Sequence, residues 1–239
     1  MNTIQNQTQI RRASERGQAN HGWLQSQHTF SFADYHDPAF MGFRSLRVIN
    51  EDRIAPGRGF ATHPHRDMEI FSYVLEGQLA HKDSMGNERV LVPGDVQLMS
   101  AGSGITHSEF NPSAQEPGHF YQIWIRPNRS GLTPSYTEWR PSTEQQSDGK
   151  ILIISADGRN ASAKINQDVD VWRLKWHKNE EVTHISQAGR GLWLQVLRGS
   201  ISVNGGEQLY AGDAIYTTET ISWIIQSDEN AEALLFDLA

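Results

Sequence analysis

Two strand-and-turn landmarks occur twice in this chain. Tyr73-Val-Leu-Glu-Gly77 is echoed by Gln195-Val-Leu-Arg-Gly199, and Val92-Pro-Gly94-Asp95-Val96 by Tyr210-Ala-Gly212-Asp213-Ala214. A β-rich run closed by glycine, then a Gly-Asp turn into another β run, signals antiparallel hairpin chemistry. Its repetition predicts two β domains of like plan, the second with a shorter hairpin turning at Asn204-Gly205-Gly206. The rest of the chain agrees. Short β-rich runs are predicted near residues 29–32, 46–50, 69–76, 78–82, 90–92, 96–99 and 121–125. More follow near 151–154, 171–176, 192–197, 200–203, 214–216, 221–225 and 233–236. No stretch carries the sustained 3.6-residue period of a long helix, so the expected class is all-β. Residues 126–150 are polar and rich in Pro, Gly and Ser. We therefore expect an N-terminal domain over 1–130 after a polar lead-in, a linker over 131–150 and a second barrel over 151–239.

Composition excludes several roles. The chain has 239 residues and a formal net charge of −7, with no basic half to hide a nucleic-acid surface. It contains no cysteine, which removes disulfides, thiolate ligands and a cysteine nucleophile. The N-terminus is polar and no apolar run is long enough to span a bilayer. The expectation is a cytoplasmic protein that contacts neither nucleic acid nor membrane, and on which the sequons at Asn6, Asn128 and Asn160 carry no weight.

The chemistry is concentrated between residues 57 and 111. Gly57-Arg-Gly-Phe-Ala-Thr-His63-Pro-His65 and Gly102-Ser-Gly-Ile-Thr-His107-Ser-Glu109 each set two metal-binding residue types at i and i+2. In a strand those positions share a face, so two such strands brought together aim three imidazoles and one carboxylate at a single point. Four N/O donors suit a divalent transition metal: iron or zinc first, with nickel, cobalt, manganese or copper also accommodated. The second half holds only His177 and His184, with no paired ligands, so one metal site is expected, in the N-terminal domain. His21, His28, His36, His81 and His119 stand alone and are read as hydrogen-bonded structural residues. Gly102-Ser-Gly104 lacks the Lys-Ser/Thr and helix of a phosphate loop and is read as a barrel turn.

These residues resemble the cupins and, within them, the pirin family. The first cupin motif, Gly-x5-His-x-His-x3-4-Glu-x6-Gly, runs from Gly57 through His63, His65 and Glu69 to Gly77, with seven rather than six residues in its last gap. The second, Gly-x5-Pro-x-Gly-x2-His-x3-Asn, fits at Gly94, Gly102, His107 and Asn111, with Ser100 in place of proline and four residues before His107. Segments such as His28-Thr-Phe-Ser-Phe-Ala-Asp34, Leu46-Arg-Val-Ile-Asn50 and His63-Pro-His65-Arg66-Asp67-Met68-Glu69 also look like pirin segments. The likeness is strong over about residues 10–130. It implies two tandem cupin (jelly-roll) barrels and the ligand set His63, His65, His107 and Glu109. Glu69, a ligand in many cupins, is then left to support the site from behind the ligands.

Similarity to bacterial pirins further implies quercetin 2,3-dioxygenase activity, the oxidative opening of a flavonol ring by O2. In that reading the metal takes the flavonol 3-hydroxyl and Glu109 serves as ligand and as base for its proton. Phe43, Met68, Phe110 and Trp124 are candidates for an apolar lining, though each is individually better read as core packing. Two alternatives stand beside the dioxygenase. One is a metal-dependent regulatory protein with a protein partner, which nothing in the residues specifies. The other is a different metal enzyme that oxidises flavonols as a side activity.

Overall fold

The computed structural model of the chain describes residues 8–239, so Asn6 and the first part of the polar lead-in lie outside the described residues. The chain forms two all-β units. One comprises residues 16–142 with 156–167; the other comprises residues up to 15, 143–155 and 168–239. Among the described residues, no helix is long and apolar enough to cross a membrane.

The division is therefore not a single cut in the sequence. Strand β1 (Gln9–Arg11) pairs with Ala214–Thr217, placing Ile10 opposite Ile215. Arg12 Nη1 and the Ala13 N–H donate to the two oxygens of Asp213, each at 2.8 Å. A short strand held by a carboxylate covers a sheet edge that would otherwise offer unpaired backbone groups. Residues expected as lead-in thus belong structurally to the unit built mainly from the C-terminal half.

The first unit contains β2 (Gly17–Asn20), β3 (Leu24–His28), β4 (Leu46–Ile54), β5 (Gly59–His65), β6 (Glu69–Glu76) and β7 (Leu79–Asp83). It continues with β8 (Glu88–Leu91), β9 (Val96–Ser100), β10 (Ile105–Phe110), β11 (Gly118–Ile125) and β12 (Ser135–Trp139). The larger sheet runs β12-β9-β6-β11-β4-β3-β2 and the smaller one β5-β10-β7-β8. Strand β12 lies inside the stretch expected as a linker. Its pairing with β9 and the burial of Trp139 make it part of the barrel wall. Leu24, Ile54, Val74 and Phe120 of the larger sheet pack with Leu79 and Leu91 of the smaller, closing one end of the barrel.

A row of polar side chains crosses the larger sheet. His28 faces Asn50, Asn50 faces Gln122, Gln122 faces Ser72 and Ser72 faces Gln97, each pair directly opposite in register. Because strand side chains alternate, Ser72 shares its face with Ile70 and Val74, and Gln122 shares its face with Phe120 and Trp124. The row therefore points inward, and Glu69 points to the other face.

The second unit repeats the two-sheet plan. Beyond β1 and Ala214–Thr217, one sheet continues through Gly191–Arg198, Ala231–Leu238, Val169–Trp176 and Lys150–Ser155. The other runs Glu180–Ile185, Ser222–Ser227, Ser200–Val203 and Leu209–Tyr210. Its interior is apolar, built on Trp176, Trp223, Leu194, Leu235 and Ile225. His184 Nε2 meets Asp237 Oδ2 at 2.9 Å, a buried pair that Arg190 completes. The candidate metal groups found among the described residues lie in the first unit, which places a candidate metal site in the N-terminal domain, as expected.

Candidate metal centre

Strands β5 and β10 pair antiparallel, with His65 opposite Ile105 and His63 opposite His107. Between His107 and Glu109 the register slips, so Glu109 faces Phe60. The extra residue lies in β5, between Phe60 and His63, so β10 keeps its regular alternation and Glu109 shares the inward face of His107. Gly59 makes the close packing possible. A Cβ there would stand 2.1 Å from the Glu109 carbonyl oxygen and 2.5 Å from Phe110 Cα. The second glycine segment is as tight: Gly102 has φ +46°, and a Cβ on it would meet the Leu132 carbonyl oxygen at 2.0 Å.

The three imidazoles converge. Ring centroids lie 4.8 Å apart for His63–His65, 4.5 Å for His63–His107 and 4.9 Å for His65–His107. One ligand atom from each can be chosen so that all lie within 4.8 Å of one another. Hydrogen bonding frees two of those atoms. His63 Nδ1 donates to the Ala61 carbonyl at 2.8 Å, leaving its Nε2 with a lone pair. His107 Nε2 is buried and has no hydrogen-bond partner, an arrangement that a bound cation would satisfy. Burial, then the neighbouring imidazoles, pushes the pKa of both His65 and His107 down to about 3. Both rings are neutral at physiological pH, the form that binds a metal.

Glu109 is fully buried. Its Oε1 accepts from Ser72 Oγ at 3.1 Å and its Oε2 from Gln122 Nε2 at 2.6 Å. Burial raises its proton affinity above the ordinary carboxylate value, partly offset by His81 and these two donors.

His81, read from sequence as structural, stands beside the cluster. It forms a second metal-competent group with His107 and Glu109, and its ring centroid is 5.2 Å from that of His107. Gln97 Nε2 donates to His81 Nδ1 at 2.9 Å, and His81 Nε2 lies 3.5 Å from Asp83 Oδ2. His107 Nδ1 lies 3.4 Å from the same His81 Nδ1. Gln97 occupies the single lone pair of His81 Nδ1, which puts the His81 proton on Nε2 toward Asp83, and His107 Nε2 is the nitrogen left without a partner. Glu69 is not part of this support. Its oxygens accept from Ser100 Oγ at 2.6 Å and from Asn166, on the opposite face of the sheet from Ser72.

A cavity of about 560 Å³ opens over the cluster, lined by His63, His65 and Glu109 on one side. Of the expected apolar residues, only Trp124 lines it. Phe43 is buried in the core, Met68 packs against Ile70, Met99 and Ile105, and Phe110 is exposed. Phe32 and Phe60 take their places. A polar patch of the wall, Ser26, His28, Asn50 and Asp52, comes from β3 and β4 of the larger sheet.

The comparisons with known proteins fit this geometry. The profile of the family described as Pirin matches residues 8–125, and that of the Quercetinase C-terminal cupin domain matches residues 152–238. The chain is 51% identical over 230 residues to a quercetin 2,3-dioxygenase of Escherichia coli strain K12, covering 96% of this chain and 97% of the relative. The crystal structure of YhhW from Escherichia coli superposes with a TM-score of 0.93 at 48% identity, covering 97% of each chain. A second structure, of bacterial pirin YhhW from Escherichia coli in complex with nickel(II), superposes with a TM-score of 0.91 at 48% identity over 97% of this chain and 98% of that one.

Proposed function

The chain belongs to the pirin family, and from that premise we propose that it is a metal-dependent dioxygenase cleaving flavonols such as quercetin. The identity to a quercetin 2,3-dioxygenase over nearly the whole chain supports this oxidoreductase class. We assign His63, His65, His107 and Glu109 as the protein ligands of one divalent cation. The observation that carries the assignment is the buried His107 Nε2, which faces two further imidazoles and has no hydrogen-bond partner. Iron and zinc are kept as the first candidates, with nickel, which the relative holds in its nickel(II) complex, among the other metals this donor set accommodates. When bound, such a cation would lower the pKa of a coordinated flavonol 3-hydroxyl and, if iron, add redox capacity.

The remaining contributions come from the chain itself. Phe32, Phe60 and Trp124 offer apolar ring faces on which a flat substrate can lie. Glu109 Oε1, held more loosely than Oε2, is assigned as the acceptor of the 3-hydroxyl proton, helped by the raised proton affinity that burial gives this carboxyl. The larger-sheet residues Ser72 and Gln122 fix its orientation. O2 is the co-substrate, and the cysteine-free composition fits action in the cytoplasm.

The test is direct. The purified protein is analysed for metal content, then followed for loss of quercetin's visible absorbance together with O2 uptake. Stoichiometric metal and coupled loss of both reactants are expected. Turnover that persists in a metal-free His63→Ala protein would remove the proposal.

A further inference from the structure

Asp52 is 3% exposed, yet it forms part of the cavity wall facing the imidazoles. Its Oδ1 accepts the Ser26 hydroxyl, and its Oδ2 receives no hydrogen bond among the described residues. The inward-facing residues around it on β4 include the apolar Val48 and Ile54, so packing alone does not call for a carboxyl here. Burying an acid without full hydrogen bonding is unfavourable, which makes its presence at a cavity wall informative. Burial, only partly offset by Ser26, with the nearby charges of Glu109 and Glu51, pushes its pKa up to about 7. A donor arriving from a ligand would relieve that strain on the charged form.

His28 adds to the same wall. Its Nδ1 lies 2.9 Å from Asn50 Oδ1, an oxygen that only accepts, so Nδ1 carries the proton and Nε2 keeps a lone pair. The wall therefore offers two acceptors, Asp52 Oδ2 and His28 Nε2, opposite the metal-binding strands. Its chemical complement is a ligand bearing hydroxyl donors at a distance from the group that meets the cation.

We propose that Asp52 is a specificity-determining residue, its Oδ2 accepting a hydrogen bond from a ring hydroxyl of a planar polyphenol, with His28 Nε2 as the second acceptor. This rests on the flavonol reading above for the ligand's class and adds which hydroxylation pattern the cavity favours. A polar group built to receive a hydroxyl discriminates strongly against an analogue that lacks it, because the acceptor is then left buried and unpaired.

The experiment uses the metal-loaded full chain and two flavonols, quercetin and 3-hydroxyflavone, which shares only the 3-hydroxyl. In Asp52→Leu the ratio of kcat/KM for quercetin over 3-hydroxyflavone should fall roughly tenfold, the loss falling on quercetin. In Asp52→Asn, which keeps an acceptor oxygen without the charge, it should fall severalfold. Thermal melting establishes that each variant is folded, and if the leucine variant is not, the asparagine variant decides. An unchanged ratio in a folded variant overturns the role of Asp52 while leaving the dioxygenase in place. Should the wild-type chain turn over neither compound, the dioxygenase fails instead. Dissociation constants for the same pair, read by tryptophan fluorescence, then decide Asp52 by the same ratio: a fall supports the role and no change overturns it.

Discussion

Gln122 Nε2 donates to Glu109 Oε2 at 2.6 Å, joining the larger sheet to the ligand-bearing strand of the smaller one. Ser72, directly opposite Gln122 in register, takes the other oxygen. These donors are what keep a fully buried carboxylate oriented and able to ionise. In Gln122→Leu one oxygen loses its donor, the proton affinity of Glu109 rises further and its rotamer loosens. Affinity for zinc or nickel, measured by titration calorimetry at pH 7, should fall roughly tenfold. Unchanged affinity would mean that Glu109 does not bind the cation in this position.

The histidine set separates function from stability. His63→Ala and His107→Ala should lose metal and turnover together, because each removes a neutral imidazole from a three-ring cluster. His177→Ala should leave both in place. His184→Ala should also keep its metal, but the lost partner of Asp237 lies in a buried ion cluster, so a stability loss of about 1–3 kcal/mol is expected. Elemental analysis and thermal melting of the four variants measure the two effects independently.

What the sequence could reveal depended on locality. The i, i+2 ligand pairs were legible because strand alternation is a local rule, and the repeated hairpin landmarks gave two barrels for the same reason. The placement of residues 9–11 against 214–217 was not legible, since a three-residue strand has no periodicity of its own and its partner is distant in sequence. His81 was missed for a related reason. Nothing near it pairs with it at i+2 except Asp83, and its approach to His107 arises only when β7 pairs with β10. The polar row left a partial trace: Ser72, Gln97 and Gln122 each interrupt an apolar run, whereas Asn50 stands on a strand that also carries Arg47, Glu51, Asp52 and Arg53. A lone polar residue inside a buried apolar run marks an interior site even when register is unknown.

Acid sensitivity should be carried in part by Glu51. Burial works against its ionised form, but His119 Nε2 at 3.0 Å and Arg16 Nη2 at 2.8 Å outweigh it and pull its pKa down to about 2. A carboxylate whose folded pKa lies below its unfolded value of 4.5 stabilises the fold fully above pH 4.5. That contribution is lost as pH falls from 4.5 through about 2. The shift corresponds to about 3 kcal/mol at neutral pH. Glu51→Gln should therefore be less stable than the parent at pH 7, with the gap closing as pH falls toward 2, in urea unfolding followed across that range.

His81 gives the sharpest test of how the ligands are held. Its Nδ1 accepts from Gln97 and lies next to His107 Nδ1, while its Nε2 points to Asp83. A support of this kind fixes the tautomer and ring plane of a metal-binding histidine, and its loss typically lowers metal affinity ten- to a hundredfold. His81→Phe keeps the ring volume but removes the polar nitrogen that stands 3.4 Å from His107 Nδ1. Its metal affinity should fall within that range, and because Gln97 and Asp83 lose a buried partner its melting temperature without metal should fall as well. If His81 were instead a ligand, as its grouping with His107 and Glu109 permits, the absorption spectrum of the cobalt-loaded variant would report a changed coordination number. A spectrum matching that of the parent, with weaker binding, assigns His81 to orienting His107. Parent-like affinity removes it from the site altogether.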